Sequence, residues 1–374
     1  MNPSFVPFGL ERMMSQWENV VDYNLSESGV HPLSMRELVE DATSLDEMIS
    51  LRLGYPQANG IVKLRERIAA LYPDATADNV LVTTGCAQAN FTAALSILQP
   101  GDELVLMLPN YMQIWGIAQN FGFTLKMFSL KEELNWGMDL ESFEALVTDK
   151  TKLIAVCNPN NPTGHIMTAE EMDTVVGAAS RVGAWLLADE VYAGAERVTD
   201  EITPSFWGRY EKILAMGSMS KAYGLPGLRI GWAVAPQEIV ERLWAWQDYI
   251  TIGASMVANH LAAYALKPEV RPRLINRTRD YIRSGYRVFE QWWEEQGEVL
   301  SMIPPQAAAI AFVRYHVDVN STELVDRLIE EKSVLVVPGD HFGLDHHLRV
   351  SYGLPEPYLR EGLGRLQALI TSYK

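Results

Sequence analysis

Lys221 is the residue whose setting points most directly to chemistry. It lies in the run G-S-M-S-K-A-Y-G-L-P-G-L-R-I-G, from Gly217 to Gly231. Ser218 and Ser220 precede it, a turn containing Gly224 and Pro226 follows, and Arg229 stands near the end of the run. Apolar stretches flank it, Lys212 to Met216 before and Arg229 to Val234 after. This pattern predicts a tight connection at the edge of a sheet, with backbone that cannot flex much. A solvent-exposed lysine needs no such frame. A lysine acting as an amine nucleophile in Schiff-base chemistry does, because it must be positioned and partly desolvated.

Two plainer readings compete for the same residues. Lys221 can be an ordinary loop lysine with Gly and Pro as turn chemistry around it. Alternatively, Ser218 to Lys221 matches the S-x-x-K of serine acyltransferases. That family also requires S-D-N and K-T-G, and the chain contains neither.

Four other stretches carry residues able to do chemistry. Gly85-Cys86-Ala87 follows the apolar run Asn79 to Thr84 and opens a small-residue helix. Backbone N–H groups at such a helix start, beside small side chains, can receive a phosphate. The dinucleotide pattern G-x-G-x-x-G and the P-loop pattern G-x-x-x-x-G-K-[ST] are both absent. Asn158 to Gly164, N-P-N-N-P-T-G, follows the run Leu153 to Cys157 and holds Asn161 as a rigid amide donor. Asp189-Glu190-Val191-Tyr192 ends the run W-L-L-A-D. A carboxylate at the end of so apolar a strand is costly unless it meets a cation or strong donor, and a structural ion pair is one such solution. Arg349 lies in L-R-V-S, after V-P-G-D-H-F-G from Val337 to Gly343.

These residues sit at the ends of short apolar runs separated by helical stretches. Such alternation predicts an α/β fold with a mainly parallel sheet buried on both faces. Ligands bind beyond the carboxyl ends of such strands. Earlier in the chain, Ser34 and Glu37 have capping-box spacing. From about Pro236 the chain reads as helical, through Leu266 and again from Val270 to Gln296. Ala307 to Val313, Val334 to Val337 and Leu348 to Ser351 read as strands of an α+β unit. The expected layout is a large domain over 46–265 and a small α+β domain from both chain ends, 1–45 and 266–374.

The chain has 374 residues, a net charge of −16 and 48% hydrophobic residues. This composition suits a soluble globular protein with a large core. The acidic balance disfavours nucleic acid and anionic membranes as partners. Cys86 and Cys157 are the two cysteines, and both read as free thiols rather than a disulfide framework. No signal peptide and no membrane-length apolar run is apparent, which leads to the expectation of a cytoplasmic protein.

Taken together, N-P-N-N-P-T-G, D-E-V-Y and S-M-S-K-A-Y-G-L-P-G-L-R-I-G, in this order, resemble the class I/II aminotransferases, fold-type I enzymes dependent on pyridoxal phosphate. The resemblance extends from G-Y-P-Q-A-N-G at Gly54 to the C-terminal helix. It implies that Lys221 forms the Schiff base with the cofactor and carries the proton between Cα and the cofactor carbon. It implies that Asp189 pairs with the pyridine nitrogen, that Asn161 and Tyr192 bond the ring's phenolic oxygen, and that Tyr111 stacks on the ring. Gly85, Cys86, Ala87, Ser218 and Arg229 would hold the phosphate. Tyr55 would reach the cofactor of a neighbouring subunit, which implies a homodimer with shared active sites. Arg349 would grip the substrate α-carboxylate, a task that suits a planar guanidinium fork. Asn161, Ser28 and Gly29 would also contact substrate.

The implied reaction moves an amino group from an L-α-amino acid to a 2-oxo acid. Elimination or cyclisation on the same cofactor, as in C–S lyases, aminocyclopropane-carboxylate synthases or capreomycidine synthase-like enzymes, shares nearly every residue named. Regulators on the same fold carry a basic DNA-binding domain, which this acidic composition does not suggest. His341, His346 and His347 with Asp340 and Asp345 form a polar group, but nothing fixes a ligand geometry, and a solvated loop rather than a metal site is expected. Trp17, Tyr23, Trp115, Trp136 and Trp232 could each line a pocket or fill core, and core is expected for most of them. No arginine can be assigned to a substrate side-chain carboxylate.

Overall fold

The computed structural model describes residues 5–373. Its strands, in chain order, are β1 (Tyr23–Asn24), β2 (Val80–Thr83), β3 (Glu103–Leu108), β4 (Thr124–Ser129), β5 (Thr151–Cys157), β6 (Trp185–Asp189), β7 (Ile213–Ser218), β8 (Gly231–Val234), β9 (Leu300–Met302), β10 (Ile310–Tyr315), β11 (Val334–Leu335), β12 (Val337–Pro338) and β13 (His347–Ser351). Seven of them form one sheet in the order β2-β8-β7-β6-β5-β3-β4. The pairs from β7 through β4 run parallel, while β8 is antiparallel to both of its neighbours. A second sheet, β12-β13-β10-β9, is antiparallel, and β1 pairs in parallel with β11.

The central strands are continuous apolar runs because helices cover both their faces. Leu186, Leu187, Leu214 and Met216 are all buried, and side chains of this kind contribute about 1.5–3 kcal/mol each when fully buried. The helix Ala169–Val182 begins where the sequence supplies a capping box, with Thr168 accepting from the Glu171 N–H and Glu171 accepting in return. It stops at Gly183, whose positive φ of 68° suits a glycine after a helix end. The capping box at Ser34 and Glu37 is also formed, on a short helix Met35–Leu38.

Several details differ from the sequence reading. The Thr124–Ser129 strand was not expected; it is an edge strand whose side chains are mostly exposed or half-buried, so it lacks an apolar run. The stretch Val334 to Val337 divides between two sheets, β11 and β12. The helical stretch from Pro236 splits into Gln237–Asp248 and Met256–Ala265 around a turn at Gly253. Arg229 precedes β8 rather than beginning it, because its backbone is left-handed, φ 48° and ψ 46°. Lys221 follows β7, which is an interior strand, so the connection lies at the carboxyl end of the sheet rather than at an edge strand. The two turns at its sides are nevertheless tight: Met219 N–H bonds the Ile230 carbonyl and Leu225 N–H bonds the Met219 carbonyl.

Candidate active site

The carboxyl ends of β5, β6 and β7 and the amino end of the helix Cys86–Ile97 surround a cavity of about 470 Å³. Cys86, Ala87, Tyr111, Asn161, Asp189, Tyr192, Ser218, Lys221, Arg229 and Arg349 all line it, as does Ser28. Ten expected residues from six separate stretches of sequence thus share one wall. Tyr55 is not in this wall and is 90% exposed. Gly29 stands just behind it, where an added Cβ would lie 3.7 Å from Lys221 Cδ.

The phosphate-type corner is built from backbone and small residues. Gly85 caps the Cys86–Ile97 helix with φ 75°, and a Cβ there would lie 2.5 Å from Arg229 Nη2. A Cβ at Gly231 would overlap the Cys86 amide nitrogen. Glycine at both points therefore lets the arginine and the helix start approach each other. Ser218 Oγ lies 2.9 Å from Ser220 Oγ and accepts the Ser220 N–H at 2.9 Å. The left-handed backbone of Arg229 is the kind of strain that packing must hold in place.

Asp189 ends β6 inside the cavity. Asn90 Nδ2 donates to its Oδ2 at 3.1 Å and the Val191 N–H to its Oδ1 at 3.2 Å. Burial pushes the Asp189 carboxyl up, and these donors with the Lys221 charge pull it down less than burial raises it. Among the described residues Asp189 has no cation within ion-pair distance. Lys221 is lowered from the ordinary lysine value, chiefly by burial. Both shifts favour neutral forms, and a bound group carrying positive charge opposite Asp189 would reverse the first.

Arg349 sits on β13, opposite Phe312 of β10 and Val337 of β12, and is only 1% exposed. Its Nη1 donates to Asn161 Oδ1 at 3.0 Å and its Nη2 to the Ser26 carbonyl at 2.6 Å. Its Nε has no partner. With Oδ1 committed to Arg349, the Asn161 side chain keeps its Nδ2 as a donor. Tyr111 packs edge-on against Phe8, with ring centroids 4.9 Å apart, and donates its hydroxyl to Glu11 at 2.6 Å.

A family profile described as "Aminotransferase class I and II" matches residues 24–366. The chain belongs to the class I and II aminotransferases. Like a PLP-dependent aminotransferase from Streptococcus suis, the fold is of type I; the structural TM-score is 0.92 at 29% identity, covering 100% of this chain and 99% of the other. The capreomycidine synthase of Streptomyces vinaceus is 30% identical over 350 residues, 92% of this chain and 88% of its own. The crystal structure of the PLP-dependent cyclase OrfR superposes with a TM-score of 0.89 at 25% identity, covering 100% and 99% of the two chains.

The cofactor of this aminotransferase-family chain is pyridoxal phosphate. The residues present fit it. The Gly85–Arg229 cradle suits an anion, and the buried Asp189 without a cation suits a protonated ring nitrogen. The unpartnered Arg349 Nε suits a further acceptor such as a carboxylate.

The sequence reading missed part of this wall. Asn90 lies one helical turn beyond Cys86 and so shares its face, a spacing visible in the sequence. Gln113, whose Nε2 donates to the Ala87 carbonyl at 2.7 Å, also belongs here. Leu10, Glu11, Met14, Glu18 and Glu27 come from the N-terminal segment, and no local motif announces them. Trp17, Tyr23, Trp115, Trp136 and Trp232 are absent from the cavity wall; Trp136 and Trp232 are 3% and 2% exposed. His347 stacks on Phe312 and bonds Glu132, while Asp340 and Asp345 accept from Asn320. Among the described residues no cluster of three or more His, Cys, Asp or Glu is arranged to hold a metal. Likewise no described helix is long and apolar enough to cross a membrane.

Proposed function

We propose that the protein is an aminotransferase that moves the amino group of an L-α-amino acid to a 2-oxo acid. The observation that carries this reading is that Lys221, Asp189 and Arg349 line one cavity. When bound, pyridoxal phosphate supplies an electron sink for negative charge at the substrate Cα. Lys221 Nζ, its basicity lowered by burial, takes and returns the proton at Cα. Arg349 binds the α-carboxylate, with Asn161 holding the guanidinium in plane. Asp189 would hold the ring nitrogen, Asn161 Nδ2 and Tyr192 the phenolic oxygen, and Tyr111 the ring face. Gly85, Cys86, Ala87, Ser218 and Arg229 would hold the phosphate.

In this reading Gly29, which stands beside the Lys221 side chain, contacts the substrate together with Asn161 and Ser28. The exposed Tyr55 would serve the partner's cofactor in a homodimer, a role its exposure in the single chain supports. The proposed domains are 46–265 and, from both chain ends, 1–45 with 266–374. The seven-stranded sheet falls within the first and the four-stranded sheet within the second.

A second reading is cyclisation or elimination with the same residues. The likeness to capreomycidine synthase and to a cyclase structure supports it. Visible absorbance with a panel of L-amino acids separates the two. Conversion of the cofactor to its amine form with release of a 2-oxo acid supports transamination. A substrate-induced band that never reaches the amine form, with ammonia or a cyclic product, supports the second reading. Absence of any visible band after adding pyridoxal phosphate overturns both.

A further inference from the structure

The helix Gly9–Trp17 and the residue after it bring two carboxylates to the cavity. Glu11 and Glu18 are seven residues apart, almost two full helical turns, so they project to the same side with Met14 between them. Met14 is buried, and its Sδ lies 3.8 Å from Arg349 Nη2. Glu27, from the segment after β1, reaches the same wall. Glu18 and Glu27 also line an adjoining cavity of about 730 Å³.

Among the described residues the wall holds four carboxylates, Glu11, Glu18, Glu27 and Asp189, against three cations, and Glu27 and Glu11 face Lys221 and Arg349. Its only cations among the described residues are Lys221, Arg229 and Arg349. Each has an anionic or cofactor partner in the proposed function: the phosphate for Arg229, the cofactor for Lys221 and the α-carboxylate for Arg349. Glu11 accepts the Tyr111 hydroxyl, while Glu18 and Glu27 form no ion pair among the described residues. Mutual repulsion is visible at Glu18, whose carboxyl is raised first by burial and then by Glu27 and Glu11. Independently, the buried Arg349, which lines the same cavity, keeps an Nε without a partner, a donor left over for an anionic group. Met14, in contact with Arg349, lies between the two glutamates of the helix, so a substrate held at Arg349 would lie next to that face.

We propose that Glu11, Glu18 and Glu27 form a side-chain subsite that selects L-amino acids ending in a cation, an amino or guanidino group. This rests on the proposed use of Arg349 for the α-carboxylate. The three carboxylates supply the counter-charge, and they repel substrates such as aspartate and glutamate. A subsite of several glutamates at the mouth of the cavity also draws a cationic substrate in at low salt.

The test titrates the holoenzyme with L-arginine and its neutral isostere L-citrulline, then with L-lysine and L-norleucine. The readout is the dissociation constant from the cofactor's visible absorbance change. The expected result is tenfold or greater preference for the cationic member of each pair, weakening with added salt. In the Glu18→Gln/Glu27→Gln double variant the preference falls at least severalfold. Glu11→Gln, at the exposed rim, gives a smaller fall in the same direction. Equal binding of citrulline and arginine, or a preference unchanged in all the variants, overturns the subsite and leaves the aminotransferase reading standing. No absorbance change with any amino acid overturns both.

Discussion

Asn90 Nδ2 donates to Asp189 Oδ2 at 3.1 Å across the start of the cavity, joining the Cys86–Ile97 helix to the end of β6. The bond fixes the carboxylate that would face the cofactor ring, and it favours the ionised form against the burial that opposes it. Asn90→Ala removes a donor to a charged acceptor, an interaction of about 1.5–3 kcal/mol. Cofactor affinity is expected to fall by roughly ten- to hundredfold, read by absorbance titration of the cofactor-free protein. An unchanged affinity would mean that the Val191 N–H alone positions Asp189.

Lys221→Ala is expected to abolish turnover, with a loss of at least about 10²–10⁴ for the missing acid–base group alone. Pyridoxal phosphate should still bind, because Arg229, Ser218 and Asp189 remain. Stopped-flow absorbance with the best amino acid substrate checks this, and normal turnover in the variant would sink the assignment of Lys221.

Arg349 is buried and holds Asn161 and the Ser26 carbonyl at once. Lysine cannot reproduce two fixed N–H directions. Arg349→Lys should weaken amino acid binding by about 2–5 kcal/mol, roughly 30-fold to several thousandfold, with less effect on cofactor affinity. Comparing substrate and cofactor dissociation constants for the variant tests the separation.

Glu196 and Arg279 form an ion pair at 2.6 Å with both side chains buried, and Glu196 also accepts from Gly194 and from Thr203. Arg279→Ala leaves a buried charge without its partner and should cost about 3–5 kcal/mol of stability. The urea midpoint reads this, and a variant as stable as the parent would show that the pair is dispensable.

Glu171 links the start of its helix to His165 and to the Met138 N–H. Burial raises its carboxyl, but His165 and the backbone donors outweigh that and hold it at about 2, below its ordinary 4.5. The unfolded chain therefore binds the proton first as pH falls. The stabilisation is present above about pH 4.5 and is lost as pH drops toward about 2, roughly 3 kcal/mol in all. Urea unfolding at a series of acidic pH values should show a shallower pH dependence for Glu171→Gln; an identical slope would remove Glu171 from the account.

The sequence by itself determined the α/β class and the strand-end residues that come together in one cavity wall. It could do so because those residues sit in local punctuation: glycines that must accept left-handed backbone, prolines that stiffen Asn161, and apolar runs that announce buried strands. Asn161, Asp189, Lys221 and Arg229 are each legible within a dozen residues of sequence. The tertiary structure decided what no short window contains. It set the reversed strand β8, antiparallel to both of its neighbours, although its own side chains read like those of the parallel strands of the sheet. It seated Arg349 against Ser26 and Asn161, contacts that join distant parts of the chain. It turned the Glu11–Glu18 face of the N-terminal helix into the cavity, where a glutamate-bearing helix would otherwise read as an ordinary solvated one. Turn chemistry is written locally because it acts through each residue's own φ and ψ; the walls of the cavity are not, because they follow from which distant surfaces bury each other.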